Sequence, residues 1–251
     1  MKTFALLAAL ALATPACMSA DDATTDTASD ELAGAPHFDL WTDTAGAYHF
    51  HLKAGNSQIL VTSQAYSSRM AALNGILSVL DNGGLASHYE TLIATNGQRY
   101  FNLVASNKQT IATSETYSSK AAAQKGVNAT IAAVGAYIER WDNGTGARFH
   151  VFPGKDGRYY FSLYAKNGAI VLQSQGYSSE AAALNGTFAV AENGTSSAQW
   201  RVLAAGNGGY YLNLVAANNE IVGTSEVYTT KQSAETARDS IIALIPTVAL
   251  L

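Results

Sequence analysis

A stretch of 29 residues occurs four times in this chain, and no other feature narrows its fold as far. The copies read YHFHLKAGNSQILVTSQAYSSRMAALNGI from Tyr48, RYFNLVASNKQTIATSETYSSKAAAQKGV from Arg99, YYFSLYAKNGAIVLQSQGYSSEAAALNGT from Tyr159 and YYLNLVAANNEIVGTSEVYTTKQSAETAR from Tyr210. The tyrosine ahead of the paired hydroxyls marks each copy: Tyr66, Tyr117, Tyr177 and Tyr228. The intervals are 51, 60 and 51 residues, so copies one and three, like two and four, stand 111 apart. The chain is a duplicated pair. One unit of this size is marginal alone, because small chains bury too little of their surface, so the pair is the expected folding unit.

What recurs inside one chain is what the unit needs in order to fold. Phe50, Phe101, Phe161 and Leu212 are followed two residues on by a leucine and four residues on by an alanine. This alternation predicts a strand with one buried face. The other face carries His49, Tyr100, Tyr160 and Tyr211, then His51, Asn102, Ser162 and Asn213, and can be solvated, as one side of an antiparallel sheet often is. Asn56, Asn107, Asn167 and Asn218 predict a tight hairpin, since asparagine tolerates left-handed backbone and bonds its own main chain. A second strand follows, ending at Ser63, Ser114, Ser174 or Ser225. The hydroxyl pair then suits the N-cap of an alanine-rich helix. Gly75, Gly126 and Gly186, with Ala237 in the fourth copy, stand nine residues after the tyrosine. A helical glycine costs about 1 kcal/mol relative to alanine, so its return implies a helix lying very close to the sheet.

Each copy is preceded by a further short strand, at His37–Trp41, Tyr89–Ile93, Phe149–Phe152 and Trp200–Leu203, making the unit β-β-β-α. The apolar tail Ile241–Leu251 is expected to complete the last helix and add a buried edge strand. At the other end, Met1–Ala16 has one basic residue, an apolar run and small residues, the pattern of an export leader. Cys17 is the only cysteine, so no disulfide can form within the chain. Thr14-Pro15-Ala16-Cys17 resembles a bacterial lipoprotein processing site, with Ala16 and Cys17 fitting and Thr14 departing from the usual leucine. Lipid at Cys17 would give a membrane partner. The segment after it, rich in Asp, Thr, Ala and Ser, reads as a tether. From Pro36 onward 14 basic residues balance 14 acidic ones, and a neutral body without a basic cluster excludes nucleic acid as the expected partner.

Phe-x-Leu-x-Ala, an Asn turn, Ser-x-x-Tyr-Ser-Ser and Ala-Ala-x-x-Gly together resemble the YegP-like family, whose repeat is the DUF1508 domain of unknown function. The resemblance spans residues 37–245, with a degenerate fourth copy. It implies an α+β fold in which four β-β-β-α repeats form two tandem units, each an antiparallel sheet packed by helices, with C-terminal strands exchanged between halves. It brings no established activity and no catalytic residues. The expected organisation is a leader over 1–16, a lipid-anchored tether over 17–36, and repeat pairs over 37–140 and 147–251.

Chemistry is sparse. His49 and His51 share a strand face and form a weak metal-ligand pair, since the other copies lack it. The recurring serines have no recurring histidine as base and no nucleophile elbow, so caps and turn bonds account for them. Tyr100, Tyr160, Tyr211, Trp41 and Trp200 are the candidate ligand-facing aromatics. The expectation is a non-catalytic module of the bacterial envelope, at the outer membrane or cell surface, binding a protein or glycan or serving as scaffold, with no cofactor. Its alternatives are a metal-assisted enzyme using His49 and His51, a strand-exchanged self-assembling scaffold and, for location, a periplasmic or secreted protein.

Overall fold

Period-two alternation in every copy builds twelve strands, and the capped alanine-rich segments build four helices. The computed structural model describes residues 34–251, apart from 207, 249 and 251. The expected leader, Cys17 and most of the tether lie outside the described residues. The first pair contains β1 (His37–Thr42), β2 (Tyr48–Lys53), β3 (Ile59–Ser63), α1 (Arg69–Asn82), β4 (Tyr89–Ile93), β5 (Arg99–Val104), β6 (Thr110–Thr113) and α2 (Lys120–Asn143). The second contains β7 (Arg148–Pro153), β8 (Tyr159–Tyr164), β9 (Ile170–Gln173), α3 (Glu180–Asn193), β10 (Trp200–Ala204), β11 (Tyr210–Val215), β12 (Ile221–Thr224) and α4 (Lys231–Leu244).

The twelve strands make two six-stranded antiparallel sheets, ordered β1-β2-β3-β6-β5-β4 and β10-β11-β12-β9-β8-β7. Each repeat keeps its three strands together, and the two repeats of a pair meet at their third strands, Thr62 opposite Thr113 and Thr224 opposite Gln173. This corrects the expectation of exchanged C-terminal strands. Nothing in the described tail forms a strand either: after α4 the chain makes a 3-10 turn over Ile245–Thr247, where Pro246 removes a backbone donor.

The recurring serine holds the inner hairpin together. Ser63, Ser114, Ser174 and Ser225 accept at Oγ from the N–H of Phe50, Phe101, Phe161 and Leu212, at 2.8–2.9 Å. Each hydroxyl then donates to the carbonyl of the next residue. Beyond it a tyrosine closes the ladder in each copy: Tyr66 pairs with Tyr48, Tyr117 with Arg99, Tyr177 with Tyr159 and Tyr228 with Tyr210. In the hairpin turns only half the asparagine expectation holds. Oδ1 of Asn56, Asn107, Asn167 and Asn218 accepts from the N–H two residues on, but the left-handed residue is the next one: Ser57, Lys108, Gly168 and Asn219. The alanine after each asparagine-turn strand lies at the mouth of that turn, just outside the strand.

Ser68, Ser119, Ser179 and Thr230 cap the four helices, each accepting from the N–H three residues on. The phenylalanine–leucine face of the strands is fully buried beneath them. A Cβ added at Gly75 would lie 2.3 Å from the Tyr66 hydroxyl and 2.9 Å from the Phe50 ring, and Gly126 and Gly186 are equally tight. The close approach is therefore to a stacked tyrosine–phenylalanine pair standing on the sheet. In the fourth copy both members of this contact change together: Leu212 replaces phenylalanine where Ala237 replaces glycine. The seam shows a second exchange of volume, Val61 with Ala112 in one sheet against Leu172 with Gly223 in the other. A Cβ on Gly223 would come within 2.7 Å of Leu172.

α1 and α2 cover one face of the first sheet, and α3 and α4 cover one face of the second. α1 also packs against α3, where Arg69 at the start of α1 bonds Glu192 at the end of α3 at 2.7 Å. The helices thus meet in the middle and each sheet turns its other face outward. The interval of 60 residues is explained by α2, which has 24 residues where the other helices have 14. Its added turns carry Tyr137, whose ring packs edge-on against Phe38 at 5.0 Å.

Candidate functional site

Side-chain parity decides what the outward faces display. On β2, Phe50 and Leu52 point to the helices, so His49, His51 and Lys53 point away. Among the cross-strand pairs that registration of the outer hairpins sets on the outward face, one in each repeat joins ring or apolar side chains next to the hairpin turn: Trp41 opposite His49, Leu92 opposite Tyr100, Phe152 opposite Tyr160 and Leu203 opposite Tyr211. Each sheet therefore carries two aromatic–apolar pairs, one near each edge. Trp41 stacks on His49 with ring centroids 5.3 Å apart and lies 4.2 Å from His51, and Phe152 stacks on Tyr160 at 6.0 Å.

Beside the pairs runs a row that is neutral and polar in its middle and ionisable at its ends. In the first sheet Thr113 donates to Asn102 at 2.9 Å, beside Thr62. In the second, Thr224 donates to Asn213 at 2.9 Å, beside Gln173. Ser162 completes that row, with its Oγ buried and without a hydrogen-bond partner. β3 and β6 pair over only two residues and then diverge. A groove of about 440 Å³ follows that seam, lined by Ile59, Thr62, Gln64, Thr110, Thr113 and Glu115. Ile59, Ile170 and Ile221 stand exposed at the hairpins of the central strands.

At the β1–β2 edge of the first sheet, charge is paired locally. Lys53 pairs with Asp39, and its hydrogen bond holds that carboxyl below the usual carboxylate range. His49 Nε2 lies 2.9 Å from Asp43, and this contact lowers the Asp43 pKa. Burial pushes the His51 imidazole down, with Lys53 adding to the shift. Burial, aided by Arg148, does the same to His150 on the second sheet. Tyr160 is pushed up by its hydrogen bond to Asp156.

The strand places His49 and His51 on one face as expected, but their rings pack on Trp41 and one His49 nitrogen is engaged by Asp43. Among the described residues, no three His, Cys, Asp or Glu side chains gather as a metal site. Tyr100, Tyr160, Tyr211 and Trp41 lie half-buried on the outward faces. Trp200 does not. It sits opposite Leu214 on the helix side, is 6% exposed, and donates from Nε1 to the Gly194 carbonyl at 2.8 Å. Tyr89 makes the same bond to Gly83 at 2.7 Å, so this position is a bracket that fixes the helix end. Sequence reasoning missed Leu92, Phe152 and Leu203, whose facing is set by the register across the outer hairpin turn.

Comparison with known proteins follows the repeat boundaries. The model of a domain of unknown function, DUF1508, matches residues 43–90, 94–132, 155–199 and 205–250. A UPF0339 protein of Mannheimia succiniciproducens is 54% identical over 86 residues, covering 34% of this chain and 76% of the relative. The UPF0339 protein YegP of Yersinia pestis is 43% identical over 91 residues, covering 36% and 81% respectively. Among solved structures, the solution NMR structure of yegP from E. coli, a protein of unknown function, is 36% identical, with a TM-score of 0.39 over 40% of this chain and 87% of that one.

Proposed function

We propose that this chain, which belongs to the DUF1508 family, is a non-catalytic binding module whose outward sheet faces hold a glycan at the bacterial cell envelope. The observation that carries the reading is the arrangement of the outward faces. Helices cover only the inner side of each sheet, and each outer side presents aromatic–apolar pairs flanking a row of threonine and amide groups. Sugar rings offer C–H faces that pack on aromatic rings and hydroxyls that bond amides, and this surface supplies both in alternation. The neutral threonine–asparagine middle of each face fits a neutral ligand better than an ionic one. The anchor in this reading is lipid on Cys17, with the acidic segment behind it as tether.

The test is co-sedimentation of the purified chain with isolated cell-wall sacculi. Saturable binding is expected, and Trp41→Ala and Tyr160→Ala should each weaken it about fivefold, the equivalent of roughly 1 kcal/mol per aromatic contact. Retention by envelope proteins alone, with sacculi ignored, would replace the glycan with a protein ligand. Binding indifferent to both substitutions would remove the sheet faces from the account. Palmitate labelling of the chain beside Cys17→Ala tests the anchor separately, since label in both or in neither contradicts lipid at Cys17.

A further inference from the structure

The part of the chain that is not repeated builds a pocket of its own. The added turns of α2 and the start of β7 enclose a cavity of about 260 Å³, closed on one side by Thr247 after α4. Its walls include Tyr137, Arg140, Trp141, Thr145 and Arg148. Tyr137 and Trp141 are stacked with centroids 5.9 Å apart. The Arg140 guanidinium lies 5.3 Å over the Tyr137 ring, and that of Arg148 lies 4.2 Å over Tyr164. No salt bridge engages either arginine among the described residues. Arg148 donates from Nη1 to the Gly146 carbonyl at 3.3 Å, while its Nε is buried without an acceptor. A buried charged donor without an acceptor is costly and calls for a partner.

The local acids do not supply one. Glu139 is engaged by Asn143 at 3.1 Å, and Asp142 makes no ion pair, although its charge reaches His150. The last turn of α2 contributes partial negative charge, equivalent to about half a unit, against two whole positive ones. None of these groups recurs at the matching position of another copy, so the repeat does not need them in order to fold. The geometry points to a binding site for a small organic carboxylate with a planar apolar body. Its carboxylate would face the charges of Arg140 and Arg148, and its body would lie on Trp141, which Tyr137 backs. The volume suits a molecule of about ten heavy atoms, below drug size. This site does not use the aromatic pairs on which the glycan reading rests.

The test uses the full chain with benzoate as probe, followed by NMR signals of the Trp141 indole and the Thr145 amide. Saturable shifts are expected, with benzamide binding at least tenfold more weakly because it lacks the charge. Arg148→Gln should weaken benzoate by tenfold or more, and Arg140→Gln, an exposed position where folding is not at stake, by about threefold. Inorganic phosphate should bind more weakly than benzoate, because it leaves the aromatic wall uncovered. Benzamide matching benzoate, phosphate matching benzoate, both substitutions leaving affinity unchanged, or shifts that never saturate would each overturn the proposal.

Discussion

Replacing Gly75 with alanine sets helix propensity directly against packing. In a helix interior alanine is favoured by about 1 kcal/mol, so on local grounds the substitution should stabilise α1. The structure opposes this. The new Cβ would stand 2.3 Å from the Tyr66 hydroxyl, 2.7 Å from its ring and 2.9 Å from Phe50. These rings have little room to retreat, since they stack on each other and Phe38 packs edge-on against Phe50 at 5.8 Å. Overpacking a core costs about 1–3 kcal/mol, and contacts this short place the cost in the upper part, about 2–3 kcal/mol, so the net expectation is a loss of about 1–2 kcal/mol. Phe50→Leu alone should also destabilise, by about 1–1.5 kcal/mol. The double variant reproduces the fourth copy, where Leu212 accompanies Ala237. It should be about as stable as Phe50→Leu alone, a favourable coupling of about 1–2 kcal/mol between touching residues. The assay is urea unfolding of the three variants, compared at constant slope. A Gly75→Ala protein as stable as the parent would show that the contact is looser than described. Strict additivity in the double variant would show that Phe50 is not what excludes the methyl group.

Two further consequences concern a hydrogen bond and a charge. Ser63→Ala should leave the buried Phe50 N–H without its acceptor and cost about 1–3 kcal/mol; urea unfolding reads the loss, and amide exchange at Phe50 should quicken if the bond is what holds the ladder. Glu180 is half-buried near Asp81 and Asp142, and burial first, then those two charges, raise its pKa above 4.5. The folded state therefore binds this proton more tightly than the unfolded state, and its contribution to stability is present below pH 4.5 and lost as pH rises through the folded pKa. Asp81→Arg should turn the repulsion into a counterpart of the Arg69–Glu192 pair and place a cation at the end of α1. Together these should stabilise by about 1 kcal/mol at neutral pH and flatten that part of the pH profile, and an unchanged profile would show that Asp81 does not act on Glu180.

Most of what is local to one repeat was legible in the sequence, the left-handed turn residue and the tail excepted. Element order, the buried Phe–Leu face, the capping hydroxyls and the close helix–sheet approach are each signalled within a few residues by spacing and side-chain type. The chain carries four records of each signal, so chance matches fall away. What lay between repeats was not legible. Third strands of the two repeats look alike, and nothing local says that they pair with each other in place of exchanging strands. Trp41 and Trp200 both lie on edge strands, yet one faces out and the other in, because facing depends on parity counted through a turn whose length the sequence leaves ambiguous. The nine added residues read only as a boundary. Tertiary packing made them helix and brought Arg140 and Arg148 around a cavity closed from the far end of the chain by Thr247. Sequence determined what each unit must bury, because burial is written in local periodicity. The structure decided what the units leave open, because that depends on which surfaces meet.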